Sequence, residues 1–206
     1  MLYGIGLFLT AVFAITGALA AEKKDMDLFS VVILGLVTAL GGGTIRDVIV
    51  GHSPVFWATD VNYLWVSLIA VIIFFFVVRI YRLPQKLLLI ADAAGVALFN
   101  IQAINMTLNY GFAVSVAITM GITTGIAGGI IRDLLCHEKP LMLRRELYAT
   151  PLLFGGLLFV VLRHYNVNSD ITFWVGVLSA FFFRLAAIQY NFSYPHFLVY
   201  QTRPRP

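Results

Sequence analysis

The chain has 206 residues, of which 60% are hydrophobic and only 12% charged, and its mean hydropathy is +0.90. A soluble domain carries about 25% charged residues, so a chain this poor in charge cannot wet its surface and its apolar surplus belongs in lipid. The net charge of +4 does not point to nucleic acid, because the basic residues sit in short loops between apolar runs, and the single cysteine, Cys136, excludes an internal disulfide or a thiolate metal cluster.

A hydrocarbon core of about 30 Å takes about 20 helical residues. Cutting the chain where charged or turn residues interrupt the apolar runs predicts an all-α polytopic membrane protein of seven spans, near 2–21, 28–45, 63–78, 87–107, 111–131, 147–162 and 171–188. The whole chain, 1–206, reads as one transmembrane domain. The first span ends in ALAA, as a cleaved signal does, but Lys23 and Lys24 follow the apolar run instead of preceding it. It is therefore expected to be a retained helix.

Lys and Arg resist translocation. Lys23, Lys24, Arg79, Arg82, Lys86, Lys139, Arg144 and Arg145 fall on the first, third and fifth loops, and Arg203 and Arg205 follow the last span. The second and fourth loops have neither beyond the helix ends, and the sixth has only Arg163. The amino terminus is expected outside and the carboxy terminus in the cytoplasm.

An internal repeat is visible when GGTIRDVIVGHSP, from Gly42, is laid on GGIIRDLLCHEKP, from Gly128, an offset of 86 residues (Arg46 to Arg132). At the same offset Gly35 meets Gly121, Thr38 meets Thr124, and Phe13 meets Phe99. The segments 2–83 and 87–168 are thus two copies of three spans, and 171–190 is an added helix. Three is odd, so the copies enter the membrane in opposite senses, an inverted repeat whose pathway lies at the interface of the halves.

Gly41, Gly42 and Gly43 fall in the second span and Gly125, Gly128 and Gly129 in the fifth. Glycine costs about 1 kcal/mol relative to alanine inside a helix, so each cluster invites a kink or an unwound turn. Freed carbonyls at Gly41, Gly42 and Gly128 would then hold a monovalent cation; the structural alternative is close packing of helices through small residues. Arg46 with Asp47 lies near the outer end of the second span and Arg132 with Asp133 near the inner end of the fifth. Adjacent helical residues do not face each other, so each Arg is expected to pair with another helix or a carbonyl rather than with its own Asp. At the mouths of a pathway the Asp would gather cations and the Arg act as a movable counter-charge, whereas a snorkelling Arg with a capping Asp is the plain alternative.

Asp92 and Arg184 are single charges in the fourth and seventh spans, expected to pair and lock the last helix to the bundle. Thr16, Thr38, Asn100, Gln102, Thr123 and Thr124 either line a wet path or bond between helices. Lys139, Arg144 and Arg145 set topology, with anionic lipid headgroups as a further partner. His52, His137, His164 and His196 lie in loops or the tail without helical metal-site spacing. With no nucleophile motif, phosphate loop or ligand cluster, neither an enzyme nor a cofactor is expected.

On the paired GGGTIRD and AGGIIRD motifs the sequence resembles the prokaryotic branch of the trimeric intracellular cation channel family, also described as a glycine-transporter-type membrane domain. The resemblance implies a homotrimer in the prokaryotic plasma membrane, each protomer with its own potassium-permeable pore bordered by kinked second and fifth spans. It carries this role to Gly41, Gly42, Gly43, Arg46, Asp47, Gly128, Gly129, Arg132 and Asp133, with Thr38 and Thr124 beside them and potassium or sodium as the permeant ion. The Lys-Glu-Gly motif of the animal branch is not found. A secondary transporter of glycine or another small solute is the alternative, since channels and carriers share inverted repeats.

Overall fold

The computed structural model describes residues 2–21, 24–81, 84–144 and 146–195. They form eight α-helices: α1 (Leu2–Ala21), α2 (Leu28–Val50), α3 (Phe56–Thr59), α4 (Asn62–Ile80), α5 (Gln85–Asn109), α6 (Val114–Leu135), α7 (Ala149–His164) and α8 (Ser169–Gln189), with a 3-10 turn at Leu141–Leu143. Lys23, Arg82, Arg145, His196, Arg203 and Arg205 lie outside the described residues.

Six helices, α1, α2, α4, α5, α6 and α8, are long and apolar enough to cross a membrane. The seventh expected span is α7, apolar but of 16 residues, or about 24 Å at 1.5 Å per residue. Its start is held back because the Leu147 N–H donates to the Phe192 carbonyl and the Tyr148 hydroxyl donates to Asp92. The second span, conversely, runs past the expected 45 to Val50. Arg46 and Asp47 neutralise each other, so charge does not end the helix; Gly51 does, with φ +80. Local signals set other boundaries: Asp27 caps α2 through the Ser30 N–H, and Asn168 caps α8 through the N–H groups of Asp170 and Ile171.

Contacts at the helix ends show how the elements alternate. At one end Asn62 donates to the Tyr3 hydroxyl, Tyr110 pairs with His52 and Arg163 reaches Asn105 and Asn109. At the other Lys24 meets Glu138, and Leu147 bonds to Phe192. The Lys24 end also receives Arg79, Lys86, Lys139 and Arg144, whereas the Tyr3 end has Arg163. Between the ends α5 forms the centre, with Val96, Ala97, Ile101 and Ile104 fully buried. α4 buries only Ser67 and Val71 and turns Trp65, Ile69, Ile73 and Phe76 outward, a face that suits lipid and not water.

The closest approach is between α2 and α6. A β-carbon on Gly42 would overlap the Thr124 carbonyl oxygen, and one on Gly128 would overlap the Thr38 carbonyl oxygen. The same offset governs the neighbouring pairs: a Cβ on Gly35 would sit 3.1 Å from the Ala14 carbonyl oxygen, and one on Gly121 would sit 2.8 Å from that of Asn100. Phe13 and Phe99 meet edge to face at 5.2 Å beside this crossing. Both helices run through their glycines as continuous α-helix. The expected unwound turn is therefore corrected: the glycines are absent side chains at a backbone contact, and they free no carbonyl from the helix.

Gly42→Ala should consequently destabilise the fold by about 1–3 kcal/mol, the usual cost of overpacking. Gly4→Ala, where the added carbon meets nothing within 4 Å, should be neutral or slightly stabilising. Loss of helicity on heating in detergent micelles measures both; equal midpoints for the two variants would remove the backbone contact from the account.

Candidate functional site

Each Arg-Asp pair closes on itself. Arg46 Nε and Nη2 donate to Asp47 Oδ1 at 2.8 and 2.7 Å, while Asp47 Oδ2 accepts the Phe56 N–H at 2.7 Å. Arg132 Nε donates to Asp133 Oδ1 at 2.9 Å, and Asp133 Oδ2 accepts the Leu141 N–H at 2.9 Å. The chain then turns in the same way, His52 N–H to the Asp47 carbonyl and Glu138 N–H to the Asp133 carbonyl, both at 2.8 Å. The expectation that each Arg would avoid its own Asp is corrected. Arg is long enough to fold back along the helix, and the Asp is held still by the backbone N–H beyond the helix end. All four side chains are buried, so neither carboxylate stands open to gather cations.

The second half adds a charge that the first lacks. Arg132 Nη1 donates to Asp92 Oδ1 at 2.9 Å and to Thr16 Oγ1 at 3.0 Å, and Tyr148 donates to Asp92 Oδ2 at 2.7 Å. Where Asp92 stands, the first half has Gly6, whose Cβ would lie 2.9 Å from the Tyr63 hydroxyl. Arg184 does not pair with Asp92 as expected. It lies over the Tyr148 ring at 4.5 Å and donates to the Leu147 carbonyl at 2.9 Å and to Glu146 at 3.4 Å. Tyr148 stands between the two charges and meets each with a different part of its ring, which is how α8 is tied to α5 and α6. Sequence reading passed over Tyr148 and Glu146; the signal for Tyr148 is Tyr63, at an offset one short of the repeat because the fifth loop is one residue shorter than the second.

The remaining predicted residues divide. Thr38 returns its hydroxyl to the Leu34 carbonyl, and the buried Thr124 hydroxyl has no bonding partner among the described residues. A Cβ on Gly41 would touch Ile131, one on Gly43 would overlap the Phe56 ring, and one on Gly129 would lie 3.4 Å from Asp92. Lys139 and Arg144 are exposed at the Lys24 end. Cavities lie between α1 and α5 at both ends of the molecule. One of about 380 Å³ at the Tyr3 end is bordered by Gly6, Gln102, Asn105, Asn109 and Tyr110. The other, of about 310 Å³ at the Lys24 end, is bordered by Lys24, Asp133, Cys136, Glu138 and Arg144. Among the described residues no three His, Cys, Asp or Glu side chains come together as a metal site.

The fold and this buried charge network define a multi-pass helical membrane protein. The sequence profile described as "Glycine transporter" matches residues 4–79 and again 89–164, and the chain belongs to that family. It is 43% identical over 198 residues to a UPF0126 membrane protein of Vibrio cholerae, covering 96% of this chain and 83% of that one. It is 40% identical over 199 residues to the UPF0126 inner membrane protein YadS of Escherichia coli, covering 96% of both. Among solved structures it is similar to the TRIC trimeric intracellular cation channel orthologue from Rhodobacter sphaeroides, with TM-score 0.87, 38% identity and 91% and 96% of the two chains covered. A structure from work on conductance through TRIC cation channels matches with TM-score 0.86 and 31% identity over 98% of this chain and 100% of that one.

The burial of these charges sets their energetics. Asp92→Ala leaves Arg132 buried without its second carboxylate and should cost about 3–5 kcal/mol. Glu138→Ala, which opens an exposed ion pair with Lys24, should cost at most about 1 kcal/mol. Denaturant unfolding in mixed micelles reads both, and an Asp92→Ala protein as stable as Glu138→Ala would show that the network carries no stability.

Proposed function

We propose that the protein is a cation channel of a prokaryotic inner membrane, assembled as a homotrimer, with a potassium- and sodium-permeable path in each protomer. The observation that carries this is the likeness, at 38% identity and over nearly the whole chain, to a solved TRIC cation channel. The reciprocal contacts of α2 and α6 support reading the halves as an inverted repeat with the path at their interface. The path runs between the two cavities past the crossing, where Thr38 and Thr124 stand, and not through unwound glycine backbone. Conduction needs α2 and α6 to separate locally, and glycine contacts allow this because no side chain interlocks them. The Arg46–Asp47 and Arg132–Asp133 clamps anchor the ends of the same two helices while the middle moves. No part of this asks for catalysis, so the protein is read as a transport protein and not an enzyme.

The basic residues at the Lys24 end support that end as cytoplasmic, with the amino terminus outside. Exposed Lys139 and Arg144 there suit anionic lipid headgroups. A second reading, a carrier of glycine, is favoured by the description of the family profile.

Purified protein in a planar bilayer should give unitary, cation-selective currents that do not saturate at low millimolar salt. Saturable glycine uptake by proteoliposomes, without unitary currents at any voltage, would establish the carrier instead. Orientation is read separately. Ser53→Cys should react with an impermeant thiol reagent applied outside cells, and Lys139→Cys should not. The native thiol gives little background, because Cys136 is buried and burial pushes its pKa above the ordinary value. Labelling of both engineered positions from one side would overturn the topology.

A further inference from the structure

Arg163, from α7, crosses to α5 at the Tyr3 end and donates through Nη1 to Asn105 Oδ1 at 2.6 Å and through Nη2 to Asn109 Oδ1 at 2.8 Å. Unlike Arg46, Arg132 and Arg184, it meets no carboxylate among the described residues. The two asparagines lie one helical turn apart, and giving both carbonyl oxygens to Arg163 fixes which way each amide points. What remains to offer a ligand is therefore all donor: the two Nδ2 groups, and the Nε–H and second Nη hydrogens of the guanidinium. These groups border a cavity of about 360 Å³ between α5, α7 and α8, whose other polar lining is Asn166, Ser169 and Thr172. Among the described residues no carboxylate lines it; Asp170, next to Ser169 in the chain, is not part of the wall.

A cavity that holds one fixed positive charge, has no carboxylate in its described wall and presents the donors of Arg163 and two amides favours an anion with several acceptor oxygens over a cation. We propose that this cavity is a binding site for a phosphate group, presented either as inorganic phosphate or as the headgroup of an anionic phospholipid in the facing leaflet. A carboxylate has two oxygens and would leave most of these donors unpaired, whereas a phosphate group engages Arg163 and both amides at once. The site has no residue of α2 or α6 in its wall, but Asn105 and Asn109 also border the cavity of about 380 Å³ at the Tyr3 end, so it adjoins that cavity.

The test uses full-length protein in phosphate-free detergent micelles, followed by its unfolding midpoint. One arm titrates sodium phosphate against sodium chloride of matched ionic strength; the other adds phosphatidylglycerol against phosphatidylcholine. A saturable rise with phosphate alone identifies the free anion, with phosphatidylglycerol alone the headgroup, and with both the shared group. Asn109→Asp is the decisive variant. It keeps, and strengthens, the stitch to Arg163 while replacing a donor with a negative charge, so it should fold normally and bind at least tenfold more weakly. Arg163→Gln should weaken binding to a similar extent. No saturable rise in either arm, or a rise undiminished in Asn109→Asp, overturns the proposal.

Discussion

The contact between the backbones of α2 and α6 fixes the placement of nearly everything else. Where Gly42 lies on the Thr124 carbonyl and Gly128 on the Thr38 carbonyl, any side chain would force the helices apart. In lipid there is no hydrophobic drive to bring helices together, so close approach through small residues is what supplies the attraction. Once these two helices touch, Gly35 and Gly121 set α1 and α5 against their outer sides, and Phe13 and Phe99 fill the space above the crossing. The Arg-Asp pairs one turn further along each helix are then carried into protein and away from lipid. Burial makes the clamps possible and also makes them necessary, since an unpaired Arg at that depth is expensive.

The halves share a backbone plan but not a charge plan. In the first, Arg46 has Asp47 for its carboxylate, and the position on α1 equivalent to Asp92 is Gly6, which lies against Tyr63. In the second, Asp92 occupies the equivalent place and draws Arg132, Thr16 and Tyr148 into one network. Only this half carries the added helix α8, and Arg184 of α8 stacks on the same Tyr148. The extra carboxylate and the extra helix belong together: without Asp92 the Tyr148 hydroxyl would lose its acceptor, and Arg184 would lose the ring that is fixed beneath it. The charge network is thus asymmetric while the glycine contacts at the crossing are reciprocal.

Much of this was legible in the sequence. Long apolar runs gave the helices, because a span in lipid needs only length and hydrophobicity, and the offset between GGTIRD and GGIIRD marked the crossing helices. Partners were less legible. Reading Arg46 and Asp47 as non-facing neighbours followed a rule about helix surfaces, but it ignored the reach of Arg and the N–H of Phe56 that holds the carboxylate in place. Pairing Asp92 with Arg184 was right about the neighbourhood and wrong about the bond, because Tyr148, at the start of the sixth apolar run, stands between them. The glycines posed the hardest case. Sequence cannot tell a glycine that unwinds a helix from one that admits a neighbour's carbonyl, since both need the missing Cβ and only the partner helix decides.

The two ends of the molecule show how far one plan can carry different chemistry. Lys24 and Tyr110 occupy equivalent positions after α1 and α5, and His52 and Glu138 occupy equivalent positions after α2 and α6. The structure joins them crosswise at both ends: Lys24 to Glu138 at 2.7 Å, and Tyr110 to His52 at 2.7 Å. At the Lys24 end the fastening is an exposed ion pair, weakened by salt and worth at most about 1 kcal/mol. At the Tyr3 end it is a single hydrogen bond between the Tyr110 hydroxyl and the His52 ring, without an ion pair. Each fastening borders one of the two cavities at the ends of α1 and α5, through Lys24 and Glu138 on one side and Tyr110 on the other. The loops that border the two cavities are therefore held by interactions of different kinds, a salt-sensitive ion pair at one face and a hydrogen bond between rings at the other, although the backbone positions that make them are equivalent.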